Sequence, residues 1–218
     1  MINGIAVVLI LFGLTGCSNS RERDSRVDVL PYYNEASFTP QWFEDNESVP
    51  NDFHKLPEFS LINQNGEIFN EQSIKGKIVV ADFFFTTCPG ICPKMTNNMA
   101  LVQDEFLNDD QVVLLSHSVT PAYDSIPILK EYGEMKGVNG KRWHLLTGNR
   151  EVIYDLGRNS YFVEEDLGLS KDPNDFIHTE NFVLVDGNGH LRGIYNGLNK
   201  TAISQLIADI KILKTQTL

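Results

Sequence analysis

Basic residues are scarce in this chain: 18 lysines and arginines stand against 29 aspartates and glutamates, a formal net charge of −11. Nucleic-acid binding needs a basic surface that neutralises phosphates, so that class of function is set aside. An acidic surface leaves open a basic partner, or plain solubility. Cysteine is scarcer still, with three in 218 residues. The apolar run at residues 4–14 is too short to cross a bilayer, which takes roughly 20 residues of helix. The chain contains no internal repeat and no low-complexity block, so it is not a repeat array. What remains, 42% hydrophobic, fits one globular domain with extra segments.

The first cysteine has a setting of its own. The run at 4–14 has the length of a signal-peptide core and ends in Leu14-Thr15-Gly16-Cys17. That ending resembles the lipobox of bacterial lipoproteins, where signal peptidase cuts before a cysteine that becomes lipidated. Met1-Ile2-Asn3 departs from the pattern by carrying no Lys or Arg. The resemblance implies a signal peptide at 1–17, lipidation of Cys17, and an exported, membrane-anchored lipoprotein facing the periplasm or the cell exterior. An uncleaved anchor or an ordinary signal peptide is the alternative; in either case a disulfide is chemically permitted. Residues 18–50 read as a polar tether, reaching about 30 Å if flexible. Tyr32, Tyr33, Phe38, Trp42 and Phe43 lie within it, so either part of it packs on the domain or it is a loose aromatic tail. The domain proper is expected over 51–218.

The other two cysteines lie four apart in Phe83-Phe84-Phe85-Thr86-Thr87-Cys88-Pro89-Gly90-Ile91-Cys92-Pro93. The apolar run at 78–85 reads as a buried strand. Pro93 suits a first helical turn, where its missing N–H costs nothing, and Met95, Met99, Val102 and Phe106 continue at helical spacing. Strand, short loop and helix follow, with Cys92 at the helix mouth, where the dipole favours a thiolate. Two sulfurs so spaced can close a disulfide or clamp one soft ion, Cu(I) or Zn. The plain alternative is a structural disulfide or two inert core cysteines.

Around this stretch the pattern predicts a hairpin turning at Asn63-Gln64-Asn65-Gly66, a strand over 111–119, a helix capped by Asp124 and carrying Ile128, Leu129 and Tyr132, a strand over 142–146 and a helix over 151–157. A second hairpin, 181–185 with 190–195, turns at Asp186-Gly187-Asn188-Gly189, and a closing helix covers 200–213. This order is the thioredoxin-like α/β fold: a central mixed sheet flanked by helices, with an N-terminal hairpin extension.

A copper ion on two thiolates has room for a nitrogen donor, which Cu(II) favours. Of five histidines, His117 and His144 fall in strand patterns, His54 precedes the first strand, and His190 sits at a hairpin tip, read as solvated. His178, in Asp175-Phe176-Ile177-His178-Thr179, lies just before the strand at 181–185. In a thioredoxin-like topology the loop leading into that strand faces the dithiol.

These features together resemble the Sco/SenC family of copper-delivery and redox factors for cytochrome oxidase assembly. The likeness rests on Thr87-Cys88-Pro89-Gly90-Ile91-Cys92-Pro93, Ser118-Val119-Thr120-Pro121-Ala122-Tyr123-Asp124, Trp143-His144-Leu145-Leu146-Thr147-Gly148 and Asp175-Phe176-Ile177-His178-Thr179, and spans residue 57 to the C-terminus. It implies that Cys88, Cys92 and His178 are copper ligands, for Cu(I) or Cu(II), with Cys88 and Cys92 also a redox pair able to form a disulfide. It places Asp124 in an acidic loop near the site. It implies as partner the copper-site subunit of cytochrome oxidase or another periplasmic cuproprotein, with the membrane reached through the lipid anchor. Three positions depart from the family's acidic pattern: Gly90, Thr120 and Ile177. A thiol-disulfide oxidoreductase acting without obligatory copper is the second reading. A zinc site and a peroxidase are weaker; for the latter, Thr86 and Thr87 stand too close to Cys88.

Overall fold

The computed structural model describes residues 25–43, 48–164 and 176–216. The signal peptide at 1–17, with Cys17, and the first tether residues, 18–24, lie outside the described residues.

The apolar run forms β3 (Ile78–Phe84), buried at all seven positions. A strand buried on both faces needs a partner on each, and both are present. Ile78, Val80 and Phe84 face one core with Met95, Met99, Val102, Leu129 and Ile210, whereas Val79, Ala81 and Phe83 face the other with Leu115, Leu146, Ile153 and Tyr161. β4 (Val112–Ser118) and β5 (Trp143–Thr147) continue parallel to β3. β6 (Asn181–Val185) and β7 (Leu191–Asn196) form an antiparallel hairpin on its other side. At the far edge β1 (Ser60–Asn63) and β2 (Ile68–Asn70) add the N-terminal hairpin. The seven strands run in the order β2-β1-β5-β4-β3-β6-β7. The mixed sheet expected of a thioredoxin-like chain is what forms.

A short α1 (Glu71–Ile74) precedes β3, and the four main helices are α2 (Cys92–Glu105), α3 (Ile126–Lys136), α4 (Arg150–Asp155) and α5 (Lys200–Gln216). α2 and α5 pack against each other on the first core. α4 runs directly into a π-helical turn, Leu156–Ser160. Its Gly157 is required by packing: a Cβ there would stand 2.9 Å from Ile177 Cδ1 and 3.0 Å from a Phe83 ring carbon. Among the described residues no helix is long and apolar enough to cross a membrane.

Two sequence expectations change. Asp124 does not cap α3; Ser125 occupies that position, and Asp124 turns inward. His190 is half-buried rather than free in solvent, because its ring packs edge-on against Tyr32 and Phe53 and its Nδ1 lies 2.8 Å from the His54 carbonyl.

Residues 25–43, inside the stretch read as a tether, lie on the domain as a strap beside β7. Leu30 is buried in the first core, and the Tyr33 N–H donates to the Leu191 carbonyl at 3.1 Å. Arg192 of β7 holds the strap. Its guanidinium donates to the carbonyls of Pro31 (3.0 Å) and Leu30 (2.7 Å), pairs with Asp186 at 3.0 Å, and lies 3.7 Å above the Tyr32 ring. Tyr32, Phe43 and Phe53 then close edge-to-face on one another. The aromatics therefore serve packing, since a charged fork satisfied on every side positions the backbone they hang from.

Candidate metal centre

Parallel strands deliver their loops to one end of the sheet, and the dithiol occupies that end, between β3 and α2. α2 starts at Cys92 with Pro93 in its first turn. Cys92 points into the first core at 4% exposure, whereas Cys88 lies half-buried at the surface. Both are free thiols, and each shifts the ionisation of the other.

This depth difference reverses the assignment made from helix position. Burial first, then the neighbouring Cys88 sulfur, pushes the Cys92 thiol well above its ordinary range. Cys88 moves the other way: burial works against its thiolate, but the Cys92 thiol and the backbone amides of Cys92, Gly90 and Ile91 outweigh it and lower the pKa. The helix mouth does stabilise a thiolate, but on the cysteine that faces its amides from outside.

Of the histidines, His117 is wholly buried, stacked on Phe83 at 4.9 Å, and burial pushes its pKa down to about 4. Burial likewise lowers His144 to about 4. The His54 ring lies 2.8 Å from the Ser160 carbonyl. These three, with His190, serve packing. His178 is exposed, 4.8 Å from the Phe176 ring, and Phe176 meets Phe85 edge-on at 5.1 Å. Phe85 is the residue whose carbonyl accepts the Cys88 N–H at 3.3 Å. The histidine loop thus rests on the base of the dithiol turn. The structure brings Cys88 and Cys92 together and leaves His178 on the neighbouring loop: among the described residues no three His, Cys, Asp or Glu side chains converge closely enough to hold a metal. Two adjacent sulfurs fit a soft ion such as Cu(I).

The residues that break the acidic pattern have local reasons. Ile177 is 3% exposed against Gly157 and Phe83, a place a carboxylate would not occupy unpaired. The Thr120 hydroxyl donates to Asp124 at 3.0 Å. At Gly90 a Cβ would meet nothing within 4 Å, so no steric demand explains the glycine.

One more group belongs to this centre, and its signal in the sequence is a lone acid in an apolar strand. Asp82 of β3 is buried, with Oδ1 lacking a partner. Burial pushes its carboxyl up to about 7, against the lowering effect of the Ser116 hydroxyl, which itself accepts from Trp143 Nε1 at 2.8 Å. An unfolded Asp ionises near 4, so between about pH 4 and 7 the native state binds the extra proton. Its stabilising contribution is complete below that window and is lost as pH rises through it. Asp82→Asn should remove this loss, so that wild type gives up about 2–3 kcal/mol more than the variant between pH 5 and 7. Urea midpoints at the two pH values measure it; parallel changes would mean that Asp82 is ionised throughout.

A paired dithiol at a helix N-terminus on a mixed α/β sheet defines the class: thioredoxin-like dithiol proteins. The SCO1/SenC family model matches residues 48–214, and the chain belongs to that family. It is 30% identical over 167 residues to the SCO1 protein homolog of Bacillus subtilis, covering 74% of this chain and 84% of that one. It is 36% identical over 158 residues to a SCO2-like protein of Rickettsia conorii, covering 70% and 72%. Among solved structures, a SCO1/SenC family lipoprotein of Bacillus anthracis superposes with a TM-score of 0.64 at 33% identity, over 74% of this chain and 95% of the other. Bradyrhizobium japonicum ScoI, solved with copper bound, gives 0.56 at 27% identity, over 71% and 96%.

Proposed function

We propose that this chain is a copper-binding protein of Sco type, acting in cytochrome c oxidase assembly. The observation that carries the reading is the sulfur pair at the α2 mouth, with Cys88 disposed to be a thiolate and Cys92 holding a proton beside it. Copper is cargo here, entering as Cu(I) by displacing the Cys92 proton and leaving by ligand exchange to the oxidase's dinuclear copper site. Cys88 and Cys92 supply two sulfur ligands, and His178, on the neighbouring loop, would close on them as the third, the nitrogen donor that admits Cu(II) as well. The same dithiol can reduce that site's cysteines, itself closing to a disulfide. Lipidated Cys17 would hold the protein at the outer face of a membrane; loss of membrane association in Cys17→Ser tests that part.

Metal analysis tests the centre. Reduced protein loaded with copper and desalted should retain about one ion per chain, the count of a single site. His178→Ala should keep Cu(I) but lose the sulfur-to-Cu(II) charge-transfer band. Retention at wild-type level by both Cys88→Ser and Cys92→Ser would overturn the assignment.

A further inference from the structure

We propose that Asp124 is the positioning residue of the dithiol, acting through Thr86; this rests on Cys88 and Cys92 being the working pair. Asp124 lies on the β4–α3 loop and is wholly buried. Its carboxylate accepts four hydrogen bonds: from the Thr86 hydroxyl (2.5 Å) and backbone N–H (3.3 Å), the Ser118 hydroxyl (2.6 Å) and the Thr120 hydroxyl (3.0 Å). Ser118 ends β4 and Thr120 stands two residues further on, so two of the donors come from the carboxylate's own loop. The other two come from one residue of the neighbouring loop.

That residue stands two positions before Cys88. With both its N–H and its hydroxyl engaged by a rigid buried acceptor, the Thr86 backbone loses its freedom to rotate. The next bond in the chain, Cys88 N–H to the Phe85 carbonyl, closes the turn over this fixed base. α2 is itself immobilised by Met95, Met99 and Val102, each fully buried. One sulfur therefore rides on a helix locked in the core, and the other on a turn whose base is held by Asp124. The distance between them depends on that hold. The thiol–disulfide equilibrium reads the relation directly, because closing the ring depends on how often the sulfurs meet in register.

The experiment equilibrates the copper-free protein with mixtures of oxidised and reduced dithiothreitol, the oxidised form taking the two electrons as the disulfide closes, and measures the Cys88–Cys92 disulfide fraction, alongside thermal midpoints. Thr86→Val and Asp124→Asn should each lower the disulfide formation constant about tenfold, and the double variant should fall no further than Asp124→Asn alone, as coupled neighbours do. Ile153→Val, which removes a buried methyl group from the opposite core, should lower the thermal midpoint and leave the constant unchanged. Variants that lose thermal stability with an unmoved constant, or single effects that add in full, overturn the proposal. Should Asp124→Asn fail to fold, Thr86→Val against Ile153→Val decides it. A normal equilibrium shift in a protein that takes up no copper would overturn the copper reading and leave this one standing.

Discussion

Limiting iodoacetamide added to the reduced protein at pH 7 marks Cys88 and spares Cys92, with initial rates differing at least about a hundredfold. Access and ionisation act in the same direction. Cys92 is 4% exposed and keeps its proton, because a charge at that depth would be desolvated and would face the Cys88 thiolate. Cys88 is half-buried at the surface, and the Cys92 thiol with the backbone amides of Cys92, Gly90 and Ile91 lowers its pKa against the effect of burial. Each unit of pKa separation is tenfold in thiolate, so two units suffice for the ratio. The pH dependence has a definite sign. Cys88 saturates as thiolate first, so the ratio is widest at low pH and narrows as pH rises towards the range where Cys92 ionises. Peptide mapping separates the two sites, and denaturation should bring their rates together. Preferential marking of native Cys92 would show that the buried cysteine is the nucleophile and would invert the description of the centre.

The same pair shows what a sequence can carry. The apolar run, the cysteine spacing and Pro93 are local signals, and each became the element it indicated: β3, the dithiol loop, and the first turn of α2. Depth is not local. Cys88 and Cys92 have the same spacing whichever one faces the core, and the choice is made by how α2 seats Met95 and Met99 beneath the sheet. Asp124 looked like a helix cap because the residue stands just before α3; its true partners, Thr86 and Ser118, come together only once β3 and β4 pair. His178 was singled out by topology, and topology does bring its loop to Phe85, but its ring rests on Phe176. The strap is the least legible segment. Its polar composition is that of a linker, and the residue that binds it, Arg192, lies some 160 positions away in a strand whose pattern gave no sign of a buried cation.

That cation is the site of the second large effect. Arg192→Ala should cost about 3–5 kcal/mol, the usual cost of removing one partner of a buried ion pair and leaving the other charged and alone. Arg192 and Asp186 are 4% and 5% exposed, so water does not take over the role of the lost guanidinium. The carbonyls of Leu30 and Pro31 lose their donors at the same time, and the Tyr32 ring loses the cation above it. At this chain length the loss corresponds to roughly 10 °C in thermal midpoint. It should also free the strap, so that limited trypsin cuts after Arg26 in the variant under conditions that leave this bond uncut in wild type. Arg192→Lys should fall between the two, since an ammonium can pair with Asp186 but cannot present a planar fork to two carbonyls at once. A double replacement that also removes the Asp186 charge should recover part of the stability but not the strap's protection, because the two carbonyls remain without donors. A loss below about 1 kcal/mol, the range of exposed pairs, with the strap still protected, would mean that the aromatic contacts of Tyr32, Phe43 and Phe53 hold the segment without the cation.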